Sequence, residues 1–414
     1  MIVLQEPVVT LTSLFKNSPI DSHDSVNYNS EYHQLSERIP QESARFNSVV
    51  DQFVSQFSQW IVIIITGLLT GLTTSVLDHG YKWVSGLKTG VCTNGFFNSY
   101  SSCCAASTDG ACEAWKQWDQ VIGLDSNTAS SALYKFFLFT STSLILAGLA
   151  GLVCFNERFV KTSGISETKT VISGVVINGF LSMRTLLAKW TGLLLIVSSG
   201  LWAGKEGPLV HISLCLAELV IQRFPYLATN HAQKREALLA ASAAGISVAF
   251  NAPVSGIIFT LEQMTSFFNP SDKLWMSFIC SMTGVVVLNF FKGSLEVYVK
   301  MDNQWLGFEL IGFIILGISG GVYGAVFNRL NLWFARWRRE NIQSRGGKWE
   351  VLEIAALSLV TSIVTYPLIL PRLPLTSLIT ILFKDCDATD SAKNLLCSSG
   401  DPTTGVIFVL IFTF

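Results

Sequence analysis

Hydrophobic and polar residues fall in blocks along this chain. Asn17–Arg45 is rich in Ser, Asn, Asp, Glu and Gln and carries no apolar period, so residues 1–55 read as a disordered N-terminal tail, expected on the cytoplasmic side. An 18-residue apolar stretch then runs from Trp60 to Leu77, just long enough to cross a hydrocarbon core of ~30 Å. Further apolar runs follow at Phe136–Phe155, Trp190–Ala203, Leu209–Ile221, Ala237–Leu261, Trp275–Phe291, Leu306–Phe327, Val351–Leu370 and Val406–Phe414. Several are shorter than a span, and Gly, Pro or a charged residue borders or interrupts many of them. Helices that stop inside a membrane are tolerated only where the freed backbone lines a cavity. The pattern therefore predicts an all-α, multi-pass transmembrane bundle with broken and re-entrant helices, the architecture of a transporter or channel.

Composition agrees. Hydrophobic residues make up 50% of the chain and charged residues 14%, against about 25% charged in ordinary soluble domains. A soluble protein and an intrinsically disordered one are both excluded. The 28 Lys+Arg and 29 Asp+Glu leave a formal net charge of −1, so there is no basic footprint for nucleic acid. Neither a GxxxxGK(S/T) phosphate loop nor a CxxC pair is present. Nucleotide hydrolysis and structural zinc thus lack support, and the sequence implies no cofactor, no metal and no enzymatic reaction. No basic segment followed by an apolar core and a small-residue cleavage site opens the chain, so the first span acts as its own insertion signal. Arg329, Arg336, Arg338, Arg339, Arg345 and Lys348 face only two glutamates in Arg329–Glu350, which places that segment on the cytoplasmic side. The membrane that hosts the chain, plasma membrane or endomembrane, is not encoded in this pattern.

The cysteines divide by environment. Cys154, Cys215 and Cys280 sit in or beside apolar runs, as small core residues do. Cys92, Cys103, Cys104 and Cys112 cluster in the polar loop after the first span, and Cys386 and Cys397 bracket another polar loop. Cysteines grouped in exposed loops point to disulfides facing a lumen or the exterior, with connectivity open. A zinc site is the competing reading, but the first loop contains no histidine.

Three segments carry candidate chemistry. Gly200–His211 places Lys205 and Glu206 between apolar runs, followed by Gly207 and Pro208. Proline suits the first turn of a helix, so a helix is expected to begin near Glu206 with its free N–H groups and positive dipole end at that spot. Such a terminus inside a membrane can hold a small anion, or the Glu206 carboxylate itself. Equally, Glu206 can simply complement the dipole of its own helix. Thr162–Glu167 reads as another helix start, in which Ser163 either offers a hydroxyl and flanking amides to an anion or caps the helix with Glu167. Ala243–Gln263 contains many small residues and is broken by Asn251-Ala252-Pro253, which suggests a packed, kinked helix pair ending at Glu262. Gly317, Gly320, Gly321 and Gly324 have the spacing of a helix-packing surface.

Together these segments resemble the three successive signatures of the CLC family of voltage-gated chloride channels and chloride/proton antiporters. Ser163-Gly164-Ile165 resembles the Gly-Ser-Gly-Ile-Pro anion loop. Gly204-Lys205-Glu206-Gly207-Pro208, with His211, is similar to the Gly-Lys/Arg-Glu-Gly-Pro gating loop. Phe250-Asn251-Ala252-Pro253 through Leu261-Glu262 looks like the stretch that ends in Leu-Glu-Glu. The resemblance covers residues 56–414 and implies an inverted-repeat transmembrane domain. It also implies chloride as the transported partner, a lipid bilayer as surroundings and a homodimer. It assigns chloride binding to Ser163, Gly164, Ile165, Glu206 and Gly207, and gating to Glu206. Serine at 163, where other members have proline, resembles the chloride-preferring type.

Three departures shape the expectation. Thr162 and Ser166 replace glycine and proline around Ser163. Gln263 stands where the antiporters carry their inner proton-transfer glutamate, and an amide cannot titrate. The chain stops at Phe414 before a Gly-x-Phe-x-Pro loop, a site-completing tyrosine or CBS domains, so the second repeat is expected to be incomplete. The sequence reading is thus a voltage-gated chloride channel gated by Glu206. A chloride/proton antiporter and a non-conducting truncated subunit are the alternatives.

Overall fold

In the computed structural model the described residues are 49–104, 112, 114–123, 128–224, 227–228, 230–264, 270–292 and 307–367. The tail before Val49, the Cys386 and Cys397 loop and the Val406–Phe414 run lie outside them. Contact clustering divides the chain into two compact units.

The first unit comprises the described parts of Met1–Gly80, Glu157–Leu194 and Ala203–Gly293. It opens on α1, Val49–Gly86, whose 38 residues extend about 57 Å at 1.5 Å per residue. The strictly apolar run underestimates this helix because its flanks are polar, with Asp51, Gln52, Gln56 and Gln59 before Trp60 and Asp78, His79 and Lys82 after Leu77. Thr70 and Thr74 donate to the carbonyls of Thr66 and Thr70 at 2.7 and 2.8 Å, so their polarity is satisfied within the helix and does not end it.

For the rest of that unit the helices, numbered in chain order after a loop helix α2 (Tyr100–Cys103), α3 (Trp118–Ile122) and α4 (Ala129–Asn156), are α5 (Ile165–Ile172), α6 (Met183–Ser198), α7 (Glu206–Ile221), α8 (His231–Phe250), α9 (Pro253–Met264) and α10 (Pro270–Lys292). The 8 residues of α5, 16 of α7 and 12 of α9 rise only about 12, 24 and 18 Å, too short to cross ~30 Å of hydrocarbon. These are the broken helices the sequence predicts. Helix α7 is apolar on every face and correspondingly buried from Leu209 to Glu218, as expected of an interior helix. Alanines 240, 241, 243 and 244 of α8 are fully buried. At Gly245 a Cβ would lie 2.8 Å from Val210 Cα, so glycine sets how closely α7 and α8 approach.

The second unit comprises the described parts of Tyr81–Asn156, Leu195–Trp202 and Ser294–Phe414. After α1, strands β1 (Gly90–Cys92) and β2 (Trp115–Gln117) pair antiparallel, Cys92 opposite Trp115. This small ribbon is the one described departure from an all-helical chain. Disulfides join Cys92 to Cys103 and Cys104 to Cys112, whereas Cys154, Cys215 and Cys280 take part in no disulfide. Helices α4, α11 (Glu309–Asn341) and α12 (Gly347–Thr365) complete the unit. Ser358 donates to Ser143 O at 3.1 Å and Arg338 pairs with Glu353 at 2.7 Å. The glycines of α11 at 317, 320, 321 and 324 have no described residue within 4 Å of their Cβ positions.

Among the described residues four helical stretches, Phe57–Gly86, Ala129–Asn156, Leu274–Phe291 and Glu309–Arg345, are long and apolar enough to cross a membrane.

Candidate functional site: two helix starts in the first unit

Helix α7 begins at Glu206, and its first backbone bond runs from Leu209 N to Lys205 O at 3.0 Å. The N–H groups of Glu206 and Gly207 precede that bond and have no helical acceptor. Pro208 contributes no N–H, which lowers the number of donors left over. The Glu206 carboxylate curls back over its own helix start: a Cβ at Gly204 would collide with its Oε2.

Helix α5 begins at Ile165, behind Gly164 in the left-handed region with φ 92° and ψ −7°. An L side chain is strained there, which explains the glycine. Ser163 Oγ accepts a long bond from the Ile165 N–H at 3.4 Å. A Cβ at Gly207 would lie 2.7 Å from Ser163 Cβ and 3.4 Å from Ile165 Cδ1. The two helix starts therefore meet at backbone distance. Each has N–H groups without a helical acceptor and the positive end of a helix dipole.

The structure brings Ser163, Gly164, Ile165 and Gly207 together, with Glu206 beside them. Gly164 and Gly207 are buried, Ile165 and Glu206 half-buried, and Ser163 exposed. Beneath Gly164 lies His211: the Gly164 Cβ position is 2.9 Å from His211 Cβ. The imidazole is fully buried, stacked on Phe180 at 3.9 Å, with Nε2 2.9 Å from Phe180 O. The third segment resolves into two helices. Asn251 closes α8 at φ 54° and ψ 33°, and Pro253 starts α9. Gln263 and Glu262 are exposed near the end of α9, and the described hydrogen bonds do not join Gln263 to the helix starts.

Two supporting groups were not singled out by the sequence reading. Lys189, 2% exposed on α6, donates to Phe159 O at 2.9 Å and to Thr162 O, tethering the chain just before Ser163. Its signal was available: a lysine inside an apolar helix is functional by default. Asp78, at the end of the first apolar run, pairs with Lys205 at 3.0 Å.

Short helices whose starts converge inside an apolar bundle define a polytopic membrane protein. Residues 143–412 match the family model described as "Voltage gated chloride channel". The chain is 38% identical over 350 residues to H(+)/Cl(-) exchange transporter 5 of Oryctolagus cuniculus, covering 81% of this chain and 42% of that protein. It is 37% identical over 349 residues to H(+)/Cl(-) exchange transporter 3 of Pongo abelii, covering 81% and 43%. A eukaryotic CLC transporter crystal structure superposes with a TM-score of 0.61 at 20% identity, covering 79% of this chain and 51% of that one. A slow cyanobacterial Cl−/H+ antiporter gives 0.53 at 20% identity, covering 74% and 63%. This chain belongs to the CLC, or voltage-gated chloride channel, family, and its fold is that of CLC transporters. It spans less than half the length of the curated relatives it matches.

These relatives correct one expectation. The sequence reading preferred passive, voltage-gated conduction, largely because Gln263 cannot relay a proton. The relatives at 38% and 37% identity are named exchange transporters, so that single glutamine does not outweigh a likeness over 81% of the chain.

Proposed function

We propose that this chain forms part of a chloride/proton exchange transporter in a lipid bilayer, with the α5 and α7 starts as its chloride site. The observation that carries this reading is the approach of Gly207 to Ser163, which aims two sets of backbone donors at one place. A dehydrated chloride needs such converging dipoles to replace its lost hydration. The Glu206 carboxylate occupies the same start and competes with chloride for it. When protonated, the carboxylate gives up that competition and becomes a carrier for the proton that moves against chloride. Gln263 supplies no carboxylate on the inner side, so in this reading protons reach Glu206 from that side through water. Val254 and Ile258 on α9, and Val286 and Phe290 on α10, form exposed apolar i, i+4 pairs; they support a second copy of the chain as partner.

The test is flux from reconstituted protein. An outward chloride gradient should drive protons uphill, and Glu206→Ala should leave chloride movement while abolishing proton movement. Chloride flux whose reversal potential ignores a pH gradient would overturn exchange.

A further inference from the structure

Lys88 lies in the turn after α1, held there by the bond from Trp118 Nε1 to Leu87 O at 2.8 Å. It is 5% exposed, yet its ammonium has no carboxylate or other hydrogen-bond acceptor among the described residues. What Nζ does meet is the face of Phe139, 5.4 Å from the ring centroid. It also approaches Gly200, where a Cβ would stand 3.1 Å from Nζ. Gly200 has φ 86°, so a side chain there is strained by conformation and would press on the lysine end.

A ring face offsets only part of the cost of burying an ammonium. Burial alone pushes the Lys88 pKa down from 10.5 to about 7. A group so destabilised either gives up its proton or takes a counterion. Both groups that Nζ approaches, Phe139 and Gly200, line a small cavity of about 10 Å³, room for one water-sized sphere, whose other walls include Ser199, Ser358, Thr361 and Ser362. All of these residues belong to the second unit. We infer that Lys88 and this hydroxyl-lined cavity form a second anion site, separate from the helix starts, for a halide-sized monovalent anion.

One ammonium among neutral hydroxyls matches a single negative charge. Ser199, Ser358 and Ser362 donate to the carbonyls of Ile196, Ser143 and Leu359 at 2.7, 3.1 and 3.0 Å. A hydroxyl hydrogen rotates freely, and a bond to an ion is about twice as strong as one to a neutral carbonyl. An arriving halide can therefore draw these donors toward itself. Tyr366 Oη reaches Ala132 O at 3.4 Å, so the late end of α12 packs on the early end of α4. The cavity thus lies toward the end of the unit that carries the disulfide loop.

Bromide replaces chloride and scatters anomalously, so crystals of the protein grown in bromide locate the site directly. The expected result is an anomalous peak against Lys88 Nζ that Lys88→Met removes and Lys88→Arg retains. Bromide at the α5 and α7 starts is scored separately, since its presence or loss bears on the transport reading alone. No peak beside Lys88 in the unaltered protein, or one that survives in Lys88→Met, overturns the site. Should Lys88→Met fail to fold, the unaltered protein and Lys88→Arg still decide it.

Discussion

Lys205 Nζ sits 3.0 Å from Asp78 Oδ1, with the two side chains 17% and 4% exposed. The pair stands one residue before Glu206, the first residue of α7. Asp78 therefore holds the lysine charge next in sequence to the Glu206 carboxylate.

Replacing Asp78 with Asn keeps the shape and removes the charge. Breaking a buried pair by losing one partner typically destabilises by about 3–5 kcal/mol. Part of that is recovered if Lys205 turns to Glu206 and holds its carboxylate at the helix start. The expected outcome is a lower melting temperature together with slower chloride uptake. Adding Glu206→Ala should restore uptake without restoring stability. If the double variant is as slow as Asp78→Asn alone, the lysine does not act through Glu206.

Gly207→Ala tests the meeting of the helix starts. The new methyl would stand 2.7 Å from Ser163 Cβ, closer than carbon atoms pack. The two starts must separate, and the donors no longer converge. Chloride affinity should fall at least tenfold, about 1.4 kcal/mol, as read by calorimetric titration. Gly317→Ala on α11, where no described residue approaches, is the matched control and should bind as the parent does.

Much of this architecture was legible because its signals are local. Gly-Lys-Glu-Gly-Pro marks a helix start by glycine, acid and proline together, and α7 begins at Glu206 as that reasoning expects. The break at Asn251–Pro253 likewise shows as a residue tolerant of positive φ followed by one that starts helices. The length of α1 did not show, because the helix continues through polar residues at both ends, Asp51 to Gln59 and Asp78 to Lys82, where an apolar run stops. The approach of Gly207 to Ser163 was invisible except by family resemblance, since they lie 44 positions apart in the chain. Nor could the Cys92–Cys103 pairing be read, because four cysteines permit three connectivities.

Asp119 predicts a pH dependence outside the spans. Its carboxylate is fully buried and pairs with Lys135 at 2.7 Å while accepting from Ser131 at 2.9 Å. Burial pushes its pKa upward, but bonds from Lys135, Ser131 and the Gln120 backbone, with the Lys135 charge, outweigh it and hold the pKa below 3.8. A depressed carboxylate pKa contributes stability above the unfolded value, and that contribution is lost as pH falls through the folded one. Thermal stability should therefore hold down to about pH 4 and fall below it. Lys135→Met should shrink that acid-side loss, because without the lysine the folded pKa rises toward the unfolded value. An unchanged acid limb in Lys135→Met would show that the pair does not set it.

The final prediction concerns Gln263→Glu. The side chain is exposed near the end of α9, so a carboxylate there is hydrated, and the substitution should change stability by no more than about 0.5 kcal/mol. Any effect on transport is then chemical. A glutamine can hold water in place by hydrogen bonds, but it cannot take up and release a proton. If protons reach Glu206 from the inner side through water alone, their supply is limited by how often a proton arrives at that carboxylate. A titratable group at position 263 would hold protons near the entrance and raise that frequency. Proton flux per chloride should increase in Gln263→Glu, most clearly when the inner solution is alkaline and free protons are scarce. Paired recordings of pH and chloride in proteoliposomes measure the ratio directly. An unchanged ratio at every inner pH would mean that protons bypass this position, and that the inner route to Glu206 runs elsewhere in the bundle.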